Sequence, residues 1–193
     1  MPHKGEVAAD SIADPAERTQ TLTAFLRNAV SRGDQRHAAT LIDAIEAHAR
    51  SLLSADERLP ALTELVGATA SAGQLRRAEV LTDLIDSPAY QGTALIEIVK
   101  VAAAAGDLRR AERLSERIHQ IASVTSSPTY RAQMLVALAE VTGLTNTRRL
   151  LAETLALGHW NYAVDALADQ EPGAVSALID EYLTSHMRGP DPH

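Results

Sequence analysis

Cysteine is absent from the 193-residue chain, which excludes disulfides, thiolate metal sites and cysteine nucleophiles. Aromatic residues make up only 3%, and β-branched alternation is nowhere sustained, whereas sheets favour both. No stretch approaches the roughly 18 consecutive apolar residues that cross a bilayer. The opening Met1-Pro2-His3-Lys4-Gly5-Glu6 has no hydrophobic signal core. A cytoplasmic protein with no membrane partner is therefore expected. A basic excess is missing too, since the formal net charge is -7 and the pI about 5.5. Nucleic-acid binding rests on concentrated positive charge, so no nucleic-acid partner is expected.

Motifs that carry chemistry are also missing. There is no Gly-rich phosphate loop, nucleophile elbow or carboxylate-rich metal helix. The 7 histidines fall at His3, His37, His48, His119, His159, His186 and His193, without ligand spacing. No catalytic residue, metal ligand or cofactor is assigned.

What the chain has instead is a repeated phrase. Ala72-Gly73-Gln74-Leu75-Arg76-Arg77-Ala78-Glu79 returns as Ala105-Gly106-Asp107-Leu108-Arg109-Arg110-Ala111-Glu112. Each copy follows an apolar, helix-period run and places a Gly where helices end in the left-handed conformation. Each leads into a second apolar run, through Leu81 and Ile85 or Leu114 and Ile118. The pattern predicts helix hairpins. The first opens on Asp14-Pro15-Ala16-Glu17, an N-cap followed by Pro at the first helical position and an acid at the third. It carries Leu22, Phe25, Leu26, Ala29 and Val30 and turns at Gly33 into a partner running from about Asp34 to Leu53. The second opens on Ser54, whose hydroxyl is placed to cap, turns at Gly73 and has a shorter partner to about Ile85. The third opens on Ser87-Pro88 and turns at Gly106; the fourth opens on Ser127-Pro128 and turns at Asn146. Asn tolerates the left-handed region best after Gly. Cap and turn are 19 residues apart in all four, and Leu22, Leu62, Leu95 and Leu135 each lie eight residues after their cap. The caps are 40, 33 and 40 residues apart. The difference of seven is about two helical turns, which lengthens a second helix without rotating its face.

These offsets resemble the tetratricopeptide family of helical repeats over about residues 14 to 157. Leu62, Leu65, Val66 and Thr69 match the family's first-helix core positions, Ala78 its small-residue position and Ile85 its second-helix core position. Leu95, Ile98, Val99, Ala102, Ala111 and Ile118 repeat the match, as do Leu22, Phe25, Leu26, Ala29, Ala38 and Ile45. The chain departs from the family in lacking its aromatic core residues, its first-helix Gly and its closing Pro, and Leu151 replaces Ala in the fourth unit. The Ala-rich phrasing is similar to repeat arrays of actinobacterial proteins. The resemblance implies an all-α fold, a right-handed α-solenoid of antiparallel hairpins with about four tetratricopeptide-like repeats. C-terminal capping helices are expected over 158–185 and loose tails over 1–13 and 186–193. Such scaffolds bind proteins, so a non-catalytic interaction scaffold is expected, with a protein or peptide partner or a second copy of the chain.

Three sets of residues are candidates for that work. In the resembled family first helices line a groove, whose contact rows map here to Gln20, Thr23, Arg27 and Val30; Thr63, Gly67 and Ala70; Thr93, Ile96, Lys100 and Ala103; and Gln133, Val136 and Glu140. A second set is the recurring pair at the start of second helices: Arg76 and Arg77, Arg109 and Arg110, Arg148 and Arg149, with Arg36-His37 in the first unit. Arginine near a helix N-terminus opposes the macrodipole, so these residues either face an anionic partner or are neutralised by Glu79, Glu112 and other acids. The third set lies where the repeat decays: His159, Trp160, Tyr162, Asp165 and Asp169. That cluster suits either a cap on the apolar end or the alternative function, a small-molecule-binding protein or enzyme with its pocket near the C-terminal helices.

Overall fold

The computed structural model describes residues 11–141 together with 150, 153, 154, 156 and 157. The Asn146 turn and the expected capping helices and C-terminal tail lie outside the described residues, as do residues 1–10 of the expected N-terminal tail. The described residues form seven helices and no strand: α1 Pro15–Ser31, α2 Gln35–Ser51, α3 Ala55–Ser71, α4 Leu75–Thr82, α5 Pro88–Ala104, α6 Leu108–Val124 and α7 Pro128–Val141. The fold class is all-α. The chain divides into two compact units, Met1–Val124 and Thr125–His193. The first contains α1 to α6, and the second contains α7.

The helix starts follow from side chains that reach free backbone N–H groups. Asp14 Oδ1 accepts from the Glu17 N–H at 2.9 Å, Asp34 from the His37 N–H at 3.0 Å and Asp107 from the Arg110 N–H at 3.2 Å. Pro15 and Pro88 occupy first-turn positions where no N–H is needed. Ser54 and Ser87 sit at the N-caps, but neither hydroxyl makes the expected capping bond. Their carbonyls do accept from Arg58 and Gln91, at 2.9 and 2.8 Å.

The helix ends are alike at the three turns. Gly33, Gly73 and Gly106 have φ of 71°, 77° and 76°. Each Gly N–H donates to the carbonyl three residues back, at Val30, Ala70 or Ala103, and the next N–H donates five back, to Ala29, Thr69 or Ala102. This paired closure satisfies carbonyls that the end of a helix leaves free, and it needs a left-handed residue at the Gly. α4 is 8 residues long where the other five helices of the first unit have 17. Beyond Thr82 the chain tightens into i to i−3 bonds as far as Ile85, and Gln91 Nε2 donates to the Thr82 carbonyl at 3.1 Å.

Within the first unit, α1 packs on α2 and α3, α2 on α3, α3 on α4 and α5, α4 on α5, and α5 on α6. The first helices α1, α3 and α5 therefore lie side by side in chain order, and each of α2 and α4 also rests on the first helix that follows it. Consecutive second helices stay apart, with no Cα pair within 8 Å between α2 and α4 or between α4 and α6. Both rows supply the core. Leu26, Leu62, Leu65, Leu95 and Ile98 come from one and Leu41, Ile42, Ile45, Leu81, Leu114 and Ile118 from the other, all fully buried. Each such side chain is worth about 1.5–3 kcal/mol relative to exposure. Ala38, Ala78 and Ala111, five residues after each turn Gly, are buried as well. A small side chain there lets a second helix close on its first helix.

Candidate interaction surface

The first-helix row presents a polar, mixed-charge face. Arg27 on α1 is exposed and its Nη2 lies 3.4 Å from Glu64 Oε1 on α3. Lys100 on α5 is exposed and pairs with Glu97 at 3.0 Å, one turn back on its own helix. Arg27, Gly67 and Lys100 share one offset, six residues before their turns, and Glu64 and Glu97 share another, nine before. The contact between neighbouring first helices repeats at these offsets. Arg27 reaches Glu64 across one junction, while at the next a Cβ placed on Gly67 would lie 3.7 Å from Glu97 Cβ and Cγ. With no side chain at Gly67 to meet it, Glu97 pairs with Lys100 instead.

The other groove candidates divide by burial. Gln20 and Thr93 are exposed; Val30, Thr63, Gly67 and Ala103 are half-buried, and the Thr63 hydroxyl donates to the Leu59 carbonyl at 2.8 Å. Thr23, Ala70 and Ile96 are buried at 0%, 0% and 5% exposure, so they belong to the packing and not to an open groove. For Ile96 the reason is the breadth of the apolar face of α5. Ala94, Leu95, Ile96, Ile98 and Val99 are all buried, as expected of a helix apolar nearly all round. In the second unit Gln133 is exposed and Val136 half-buried on α7. The Glu140 side chain, on the same helix, lies outside the described residues.

The paired arginines are not equivalent. Arg77 Nη2 bonds Glu46 at 3.0 Å and also reaches Asp43, both on α2. Burial of the Arg77 guanidinium works against its charge, but the hydrogen bonds and negative charge of Asp43 and Glu46 outweigh it and hold its pKa above the ordinary value. Arg110 Nε lies 3.0 Å from Glu79 Oε1 on α4, as an ion pair without the alignment of a hydrogen bond. Arg76 and Arg109, one residue earlier, are exposed. The difference is helical phase: adjacent residues lie about 100° apart around a helix, so one arginine of each pair faces the preceding second helix and the other faces outward. Arg36 is exposed, and the His37 N–H is taken by the cap. Arg148 and Arg149 lie outside the described residues. So do His159, Trp160, Tyr162, Asp165 and Asp169, the alternative pocket.

Sequence reasoning named Glu79 among the neutralising acids but missed Asp43, Glu46 and Asp83 and the later arginines that complete this set. Arg113 reaches Glu79 at 3.2 Å and Arg117 reaches Asp83 at 2.8 Å. The signal was there in the spacing, because Asp43 and Arg77, Glu79 and Arg113, and Asp83 and Arg117 are each 34 residues apart. Among the described residues no three His, Asp or Glu side chains gather as a metal ligand set.

No family model matches the chain, and no curated protein matches it. Among solved structures it is similar to the crystal structure of Ton1535 from Thermococcus onnurineus NA1, at 14% identity and a TM-score of 0.46. That match covers 91% of this chain and 51% of the other, so the chain spans about half the length of the protein it resembles.

Proposed function

We propose that the chain is a non-catalytic interaction module, a right-handed α-solenoid of tetratricopeptide-like hairpins that holds a protein segment, or a second copy of itself, along its row of first helices. The observation that carries the reading is a recurring charged face on the first helices. Arg27 and Lys100 lie six residues before their turns and Glu64 and Glu97 nine before theirs, exposed or half-exposed and paired with one another rather than with second-helix charges. Such a row offers a segment evenly spaced hydrogen-bonding and ionic contacts on packed helices, which limits the ordering cost of binding.

The test is selection of binding peptides from a random library on the immobilised full chain, followed by calorimetry of the best binder against variants. The reading expects Arg27→Ala and Lys100→Ala each to weaken binding several-fold, while Thr40→Ala on the second-helix side leaves it unchanged. Binders that ignore both first-helix changes, or respond only to Thr40→Ala, would overturn it. Sedimentation velocity across a concentration series separates a segment partner from self-association.

A further inference from the structure

Two kinds of contact join the three helix pairs of the first unit. On the first-helix side the backbones of α1, α3 and α5 approach closely, and buried side chains such as Leu62, Leu65, Leu95 and Ile98 fill the space. On the second-helix side no Cα pair comes within 8 Å, and guanidinium–carboxylate pairs cross the gap. Arg77 goes to Asp43 and Glu46, Arg110 and Arg113 go to Glu79, and Arg117 goes to Asp83. In each of these pairs the cation sits on the later second helix and the acid on the earlier one or, for Asp83, at its C-cap. The partners are 31 or 34 residues apart at both junctions, although the helix pairs themselves begin 40 residues apart at one and 33 at the other. The pairing thus keeps its own register. The acids of the first seam lie 8 and 11 residues after the first residue of α2, and those of the second, Glu79 and Asp83, lie 4 and 8 after the first residue of α4.

We propose that these charge-bridged seams are latches responsive to ionic strength: as salt rises, successive second helices part while the apolar first-helix row acts as the hinge. The angle between helix pairs then depends on the electrolyte and not only on packing. The physical basis is the different reach of the two forces. Screening shortens charge interactions from a range of about 10 Å at 0.1 M salt to about 3 Å at 1 M, whereas apolar burial is not weakened by simple salt. The outer latch charges are open to screening, with 70% of the Asp43 side chain, 64% of Asp83 and 60% of Arg113 exposed, whereas the more buried Arg77–Glu46 and Arg110–Glu79 pairs are screened less. Both seams share one polarity, so both slacken together, and the displacement across α2, α4 and α6 accumulates.

The chain has no cysteine, so pairs of spin labels can be placed without background. One pair goes on the second-helix side at the exposed Thr40 of α2 and Gln120 of α6, and a control pair on the first helices at the exposed Gln20 of α1 and Thr93 of α5. Between about 20 mM and 1 M sodium chloride the Thr40–Gln120 distance should lengthen. The expected step is about 3 Å per seam, the width of a water entering each separated pair. The Gln20–Thr93 distance should hold, with circular dichroism unchanged. Arg113→Gln with Arg117→Gln should start lengthened at low salt and lose much of the salt response. Should that double variant not fold, Glu79→Gln with Asp83→Asn releases the same seam from its acidic side and carries the same expectation. A Thr40–Gln120 distance indifferent to salt, an equal change on the first-helix side, or a full salt response in the variants would each overturn the proposal.

Discussion

Two glycines, given the same substitution, should respond with opposite signs. Gly67 lies inside α3 without a left-handed backbone, and a Cβ added there meets Glu97 at 3.7 Å, ordinary van der Waals contact. Gly67→Ala therefore gains helix propensity, about 0.8–1 kcal/mol, without steric cost. Gly106 has φ of 76° and nothing within 4 Å of an added Cβ, so its cost is purely conformational. An L residue in that region loses about 1–2 kcal/mol, partly offset by the stiffer unfolded chain of Ala, leaving a net loss of about 1 kcal/mol. In a chain of this size 1 kcal/mol moves the melting temperature by about 2–4 °C. The two Ala variants should therefore sit on opposite sides of the wild type, separated by about 4–8 °C in thermal unfolding followed at 222 nm. Gly106→Asn should fall nearest the wild type and Gly106→Val lowest, because a β-branched residue is disfavoured most at positive φ. Shifts of one sign for Gly67→Ala and Gly106→Ala would refute the argument, as would equal melting temperatures for the three Gly106 variants.

Thr69 is fully buried and its hydroxyl has no partner, at the position where the other two first helices carry Ala29 and Ala102. Thr69→Val removes an unsatisfied polar group at constant volume, so urea unfolding should show a gain of about 1–2 kcal/mol; a loss would mean that the hydroxyl is bonded. Leu65→Ala, at a fully buried core position, should cost about 2–5 kcal/mol, whereas Leu53→Ala, at 98% exposure, should stay within about 0.5 kcal/mol of wild type in the same assay. Glu79→Gln removes an ion-pair partner of both Arg110 and Arg113 and should cost up to about 1 kcal/mol at low salt, fading at about 1 M. Glu112→Gln, its exposed counterpart one unit later, serves as the neutral control, and equal effects of the two would contradict the pairing.

Local order was largely legible before any coordinates. The three turn glycines, the Asp14 cap and the buried Leu22, Leu62, Leu95 and Leu135 follow from short-range rules, because a Gly after an apolar run and an acid before one act within a few residues. What sequence alone did not resolve depends on neighbours distant in the chain. Ile96 reads as a groove residue by offset, but it is 5% exposed on a helix that α3, α4 and α6 all contact. Arg76 and Arg77 look interchangeable until the preceding second helix is in place, with Asp43 and Glu46 within reach of one of them. Ser54 and Ser87 have the right type for capping, yet a hydroxyl caps only in the right rotamer, which neighbouring sequence does not dictate.

The claim that the first-helix row is the binding face is tested most directly by hydrogen exchange of the full chain, free and saturated with a selected peptide. The account predicts slowed exchange in α1, α3 and α5, centred on the turns of helix that carry Arg27, Glu64 and Lys100, with α2, α4 and α6 unaffected beyond their shared ends. Protection confined to α2, α4 and α6, or to the segment after Thr125, would contradict it.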